Sequence, residues 1–202
     1  WCKTVSEYKN ETKRWIEAPD MQNYMDLAIF FDSFAVAGDK DLLINLKDDL
    51  FNKLHDKDVF MAYFAKATLT FDTPNTIANF MTKSHNIDIK KAAVFPIVQG
   101  IRSLALREKI RETTTVKRIK ILEEKKILER SKAAELLEAF DVVNTLRLKA
   151  QLDDIQDNKE VNNEIDTHTL GKIERDLLKD SFKIVIEFKK FINYTFRIDK
   201  IS

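Results

Sequence analysis

Two stretches near the end of the chain decide the fold: residues 132–156, KAAELLEAFDVVNTLRLKAQLDDIQ, and residues 170–196, LGKIERDLLKDSFKIVIEFKKFINYTF. In both, apolar residues recur every three or four positions, which places them on one face of an α-helix. The apolar stripe is wide in each stretch, and a wide stripe indicates burial by more than one neighbour. A polar segment, 157–166, joins the stretches. We therefore predict two long antiparallel helices within a helical bundle.

The rest of the chain also has a helical pattern. It contains only three glycines and three prolines in 202 residues, and helical proteins need few such turn residues whereas strand-rich folds need many. Helical spacing predicts further helices over 3–17, 24–36, 42–55, 58–69, 96–105 and 116–122. The predicted capping side chains are Asp39, Asp58, Thr115, Ser131 and Thr169. The fold class is all-α, a single helical domain over residues 1–202.

The region from 70 to 95 is the least regular part of the sequence. The alternation Ile87-Asp88-Ile89-Lys90 predicts a short extended segment. A division of the chain into two units near 70–95 therefore stays open.

Composition excludes several classes of protein. The net charge is +1 with 33% charged residues, whereas a dedicated nucleic-acid-binding protein usually carries a basic excess. No apolar run approaches the length of a membrane span, and no signal peptide is recognisable. Cys2 is the only cysteine, so no internal disulfide forms. We expect a cytoplasmic protein with neither membrane nor nucleic-acid partners.

The common catalytic motifs are missing from the sequence. It contains no glycine-rich phosphate loop and no Gly-x-Ser-x-Gly turn. His55, His85 and His168 have no ligand partner four residues away, so we interpret each as a surface or loop residue rather than a metal ligand. The pair Asp39-Lys40-Asp41 begins a helix, which favours a capping role over metal binding.

Three groups of polar residues interrupt the apolar pattern. The first is Asp32, after Phe30-Phe31; the second comprises Asp88, Lys90, Arg102, Thr115 and Arg118; the third comprises Arg147, Gln151, Asn163, Arg175 and Lys179. Charged groups beside an apolar stripe are costly unless they are paired. The three groups therefore form either an internal polar network or a binding site.

At these groups the chain resembles a known family. It is similar to the substrate-binding domain that lies C-terminal to the catalytic module in nucleotidyltransferases related to the PII-protein uridylyltransferase. The resemblance spans about 15–196, and its most specific parts are 87–118 and the run 146–151 followed by 174–179. One departure is visible: family members often carry Arg shortly after Phe-Phe-Asp, where this chain has Ser33-Phe34.

The resemblance implies a helical, non-catalytic module. Such a module positions the acceptor, the nucleotide or both for nucleotidyl transfer in signal transduction. Catalysis in the family uses a Gly-Ser turn and an Asp-x-Asp pair that hold magnesium and a nucleoside triphosphate. We expect these in a domain upstream of Trp1, with cyclic-nucleotide-binding and cystathionine-beta-synthase-type regulatory domains often further upstream. We expect no cofactor and no catalytic residue in this chain.

The candidate residues allow two interpretations. In the first, Arg102, Arg118, Arg147, Arg175 and Lys179 line a groove that binds a triphosphate or an acidic protein acceptor. In the second, they pair internally with Asp32, Asp88, Glu138 and Glu174. Gln151 and Asn163 are most simply hydrogen-bonding groups that fix the two long helices, and Thr115 is most simply a helix cap.

A different class of function also fits the sequence. The wide apolar faces of the long helices would suit a regulatory or scaffolding bundle that mediates protein–protein contact or homodimerisation. A strictly monomeric protein would count against the dimeric version of this alternative.

Overall fold

The computed structural model describes residues 2–74 and 86–201. The helices in these ranges are α1 (Val5–Glu17), α2 (Met21–Phe31), α3 (Lys40–Lys53), α4 (Asp58–Lys66), α5 (Phe95–Arg107), α6 (Thr115–Glu124), α7 (Arg130–Gln156) and α8 (Lys172–Phe196). Two three-residue strands, β1 (Asn86–Asp88) and β2 (Glu164–Asp166), pair antiparallel. Short 3₁₀ turns lie at Ala67–Leu69 and Ile198–Lys200, and a π-helical turn at Lys90–Val94. The predicted all-α class is confirmed.

The long helices α7 and α8 form the predicted antiparallel pair. At one end, Lys149 of α7 lies 2.6 Å from the carboxylate of Glu174 in the first turn of α8. At the other end, Leu136 near the start of α7 and Phe191 near the end of α8 line the same cavity. Both helices end where the apolar pattern predicts, because the periodic apolar residues stop there.

Helix α5 lies at the centre of the fold and packs against α4, α6 and α8. Its close contact with α8 depends on Gly100, where an added Cβ would lie 2.5 Å from Cε1 of Phe188. A side chain at this position would therefore push the two helices apart. Gly100 sets how closely α5 and α8 pack.

The N-terminal helices α1, α2 and α3 pack on one another through aromatic side chains. Trp15 of α1 contacts Phe30 of α2, with ring centroids 5.9 Å apart, and Phe31 makes an edge-on contact with Phe51 of α3. These contacts fix the last turn of α2, so the residue that follows, Asp32, is held in a defined position.

Several helix starts differ from the predicted caps. Asp39 caps α3 as predicted, but α7 begins at Arg130, before Ser131, and α8 begins at Lys172 rather than after Thr169. An acidic side chain explains the start of α8, where Glu174 accepts the Gly171 amide at 2.8 Å. Glu112 has the same role before α6, where it accepts the Thr113 and Thr114 amides at 2.7 and 3.0 Å.

Two further caps also shift by one residue. The N-terminal cap of α6 is Thr114, so Thr115 is the first helical residue, and Asp58 is likewise the first residue of α4 rather than its cap. A carboxylate in the first turn of a helix still interacts favourably with the helix dipole. The extended segment predicted over residues 87–90 is confirmed at Ile87 and Asp88, which lie in β1, and is wrong at Ile89 and Lys90, where the helical turn that leads into α5 begins.

The predicted boundary near 70–95 falls partly on residues 75–85, outside the described ranges, as does His85. Within the described ranges, no helix combines the length and the apolar character that crossing a membrane requires.

Candidate functional site

Asp32 brings together side chains from three helices. It follows the last residue of α2, and its Oδ2 accepts hydrogen bonds from Nε and Nη2 of Arg102 on α5, at 2.9 and 2.7 Å. Its Oδ1 lies 2.7 Å from Nη1 of Arg118 on α6, so the two side chains form an ion pair. The structure thus joins the first predicted polar group to the second.

Arg118 is among the most deeply buried side chains of the described residues, with 1% of its surface exposed. Its Nε donates to the Glu112 carbonyl at 2.6 Å, and its guanidinium lies over the Phe31 ring, 4.5 Å from the centroid. Its Nη2 has no hydrogen-bond partner within residues 2–74 and 86–201. Burial lowers the pKa of Arg118, while Asp32 favours its charged form.

Arg102 is held from two sides. Besides Asp32, its Nη1 donates at 2.6 Å to the side-chain oxygen of Gln99, whose amide donates to the Phe64 carbonyl at 3.0 Å. The side chains of Arg102 and Asp32 are 16% and 28% exposed. They are therefore the part of this arrangement that a ligand can reach.

Lys47 adds a third cation. This buried residue of α3 donates from Nζ to the Ser33 carbonyl at 2.6 Å and lies 5.8 Å from the centroid of Phe31. Burial, with a contribution from nearby Arg118, lowers the pKa of Lys47 to about 8. We call Asp32, Lys47, Gln99, Arg102 and Arg118 the Asp32 network. Two of its cations pair with the Asp32 carboxylate, and the third, Lys47, is held by the Ser33 carbonyl.

The low pKa of Lys47 predicts a dependence of stability on pH. Its folded-state pKa, about 8, lies below the usual 10.5, so between these values the unfolded chain binds more protons and the free energy of unfolding rises with pH. In urea unfolding, wild type should gain stability relative to Lys47→Met over this range. The exposed-site variant Lys13→Met should track wild type, and equal slopes for wild type and Lys47→Met would contradict the prediction.

Part of the third predicted polar group lies between α7 and the strands. Arg147 donates from Nε to the side-chain oxygen of Asn163 at 2.7 Å, and the Asn163 carbonyl accepts the Ile89 amide at 3.0 Å. Gln151 donates to the Asn162 carbonyl at 3.1 Å. We call Arg147, Gln151 and Asn163 the Arg147 cluster. Its hydrogen bonds fasten α7 to the segment that precedes β2.

The remaining candidate residues lie outside these hydrogen bonds. Asp88, at the end of β1, accepts the Lys91 amide at 3.0 Å and pairs with the Lys91 ammonium group, while Lys90 is exposed. Arg175 and Lys179 lie in the first turns of α8, where Lys179 is 3.4 Å from Asp176.

Internal pairing accounts for only some of the predicted partners. Arg102 and Arg118 do pair with Asp32. Glu174 pairs with Lys149, and Asp88 pairs with Lys91. The partners of these two carboxylates are therefore lysines and not the predicted arginines.

Sequence reasoning missed Lys47, Gln99 and Glu112. A signal existed for the first: Lys47 lies between Leu43 and Phe51 at helical spacing, on the buried face of α3. A charged residue in an apolar row predicts a buried partner. In the described part of the chain, no group of three or more His, Cys, Asp or Glu side chains could hold a metal ion.

A comparison with known protein families identifies the family of this chain. A model of the family described as "Putative nucleotidyltransferase substrate binding domain" matches residues 58–196. No curated protein and no solved structure matches the chain. The matched range covers more than half of the sequence and contains Arg102, Arg118 and Arg147, whereas Asp32 and Lys47 precede it. The chain therefore belongs to this family of nucleotidyltransferase substrate-binding domains.

Proposed function

We propose that this domain binds the anionic part of the acceptor or of the nucleotide and positions it for nucleotidyl transfer. The observation that carries the proposal is the excess of positive charge in the Asp32 network. Arg102 and Arg118 both pair with the Asp32 carboxylate, and the Lys47 ammonium group lies nearby on the Ser33 carbonyl. The Glu112 carboxylate offsets part of this charge, and Arg102 together with Asp32 reaches the surface. A triphosphate or an acidic protein segment would balance that charge.

The network would present Arg102 in a fixed orientation. Asp32 and Gln99 hold its guanidinium from two directions, so little side-chain freedom would be lost on binding. Arg118 would act as a positioning residue, because its buried guanidinium holds Asp32 without reaching solvent. A ligand would therefore contact Arg102 directly and depend on Arg118 indirectly.

The other candidate residues complete the proposal. The Arg147 cluster would contact a second part of the acceptor. Residues outside both the Asp32 network and the Arg147 cluster would make further contacts: Asp88, Lys90, Thr115, Arg175 and Lys179. Catalysis would occur in an upstream domain of the same cytoplasmic polypeptide that holds magnesium and a nucleoside triphosphate. The parent protein would be related to PII-protein uridylyltransferase and act in signal transduction.

Titration of the chain with inorganic triphosphate and with polyglutamate tests the binding claim. We expect Arg102→Gln to weaken binding of at least one probe about tenfold, the loss expected for one charge-assisted contact. Arg14→Gln is the matched control, because it removes an exposed Arg–carboxylate pair on α1. Equal affinities of Arg102→Gln and wild type for both probes would refute the site.

The non-catalytic claim has its own test. The chain alone, supplied with magnesium and a nucleoside triphosphate, should transfer no nucleotide to water, to protein or to itself. Transfer above the level of a heat-denatured sample would overturn the claim.

A second candidate function is a scaffold that binds another protein or a second copy of itself. One observation favours it: Leu148, Leu152 and Ile155 form an exposed row on α7 at helical spacing, on the side opposite the buried residues. Light scattering of wild type and Leu152→Glu tests the dimeric version. A monomeric wild type would exclude that version.

A further inference from the structure

A cavity of about 450 Å³ lies between α4 and the end of α8, formed by side chains other than those of the Asp32 network. Its walls include Asp58 and Val59 of α4, Arg107 at the end of α5, and Arg197, Lys200 and Ile201 after α8. A volume of this size is typical of pockets for small molecules, which range from about 300 to 1,000 Å³.

The polar side of the cavity carries more positive than negative charge. Arg107, Arg197 and Lys200 face one lining carboxylate, Asp58. Glu108, next to the cavity, lies 3.3 Å from Arg107 and offsets part of that charge. The exposed side chains of Arg197 and Lys200 have no ion-pair or hydrogen-bond partner among the described residues. These two cations are therefore available to an anion.

Arg107 is fixed in place at the cavity wall. Its guanidinium lies over the buried ring of Phe196, 4.8 Å from the centroid, and its Nη1 is 3.5 Å from the Thr195 carbonyl. Stacking on an aromatic ring leaves the edge of a guanidinium free to donate hydrogen bonds. Arg107 is thus held with donors available beside Arg197 and Lys200.

The cavity lining also includes apolar side chains, among them Val59 of α4 and Ile201 after α8. Val59 is 64% exposed and Ile201 is half-buried, so a ligand in the cavity can reach both. A simple anion such as phosphate would use the cations and leave these apolar groups in water. A phosphate ester with a flat or apolar body would contact both kinds of group.

We propose that this cavity binds a nucleoside phosphate, with the phosphate groups on Arg107, Arg197 and Lys200 and the nucleoside against Val59 and Ile201. This goes beyond the proposed function, because it adds a nucleotide site that does not involve Arg102 or Asp32. The binding step is non-covalent: the anion replaces water and counterions at the three cations.

Arg197 offers a clean way to test the site. It lies directly after α8 in the left-handed conformation, with φ of 53°, where glycine is the preferred residue. Arg197→Gly therefore removes the cation without straining the backbone. Lys126→Gly is a matched control, because Lys126 follows α6 in the same conformation, with φ of 60°, and lines a different cavity.

The experiment is a calorimetric titration of the 202-residue chain with ATP, UTP and inorganic pyrophosphate. We expect at least one nucleotide to bind more tightly than pyrophosphate, with a dissociation constant raised about tenfold in Arg197→Gly and in Lys200→Gln and unchanged in Lys126→Gly. Equal affinity of Arg197→Gly and Lys126→Gly for the nucleotides would overturn the site. Pyrophosphate binding as tightly as both nucleotides would overturn the nucleoside contact.

The outcome also separates this inference from the proposed function. Nucleotide affinity lost only in Arg102→Gln would overturn the cavity and support the Asp32 network. Affinity lost only in Arg197→Gly would support the cavity, whatever Arg102→Gln does to triphosphate and polyglutamate binding.

Discussion

Replacing Asp32 by asparagine should lower the free energy of unfolding by about 3–5 kcal/mol, the usual cost of removing one partner from a buried ion pair. The neutral amide would leave Arg118 buried with its charge uncompensated, since that guanidinium is only 1% exposed. It would also leave one neutral oxygen in place of two charged ones, so the Arg102 hydrogen bonds would lose their charged acceptor or Arg118 would face the amide NH2 group. Urea denaturation followed by circular dichroism measures the loss.

Two further variants test whether the loss of stability is specific to Asp32 and its ion pair with Arg118. Asp26→Asn is the control on the same helix, because Asp26 accepts a hydrogen bond from Gln22 and forms no ion pair with any of the described residues. Its effect should stay within about 0.5 kcal/mol. Adding Arg118→Met to Asp32→Asn should recover part of the loss, because the most deeply buried unpaired charge, the Arg118 guanidinium, is then absent. Equal losses in Asp32→Asn and Asp26→Asn would show that the network contributes little to stability.

Replacing Gly100 by alanine should destabilise the chain by about 1–3 kcal/mol, the range for overpacking a closely packed core. Alanine is the better helix former by about 1 kcal/mol. A loss of stability in Gly100→Ala would therefore be opposite in sign to the effect of helix propensity alone. The cause is steric: the new Cβ would lie 2.5 Å from Cε1 and 2.8 Å from Cζ of the buried Phe188 ring. Thermal and urea unfolding both measure the change.

A double-mutant cycle tests whether Phe188 is the source of that cost. Phe188→Leu alone should destabilise the chain by leaving a space, and Gly100→Ala should then fill part of that space. The double variant should therefore lose less stability than the sum of the two single changes. Additive effects, or a stabilising Gly100→Ala, would contradict the close approach of α5 and α8.

The long helices were the most predictable part of the fold. Stretches 132–156 and 170–196 repeat the helical period over many turns, so the signal accumulates. The starts of α6 and α8 were less predictable, because Glu112 and Glu174 accept amide hydrogen bonds where hydroxyl side chains were expected as caps. Strand β2 was missed since its three residues lie in a polar segment and are ordered by pairing with β1.

Three members of the Asp32 network could be predicted from the sequence, but their arrangement could not. Asp32, Arg102 and Arg118 stand out as charges in apolar surroundings, yet no local pattern shows that they meet, since Asp32 lies 70 residues before Arg102. Burial of Lys47 depends on the same tertiary packing. A charged residue whose burial costs free energy can be recognised in one sequence more readily than the partner that offsets this cost.

The coding sequence upstream of Trp1 is the most direct test of the claim that this domain positions substrates for nucleotidyl transfer. We predict an in-frame catalytic domain there, containing a Gly-Ser turn followed by an Asp-x-Asp pair. A reading frame that opens at or just before Trp1 would contradict that claim and would leave the protein-binding scaffold as the better explanation.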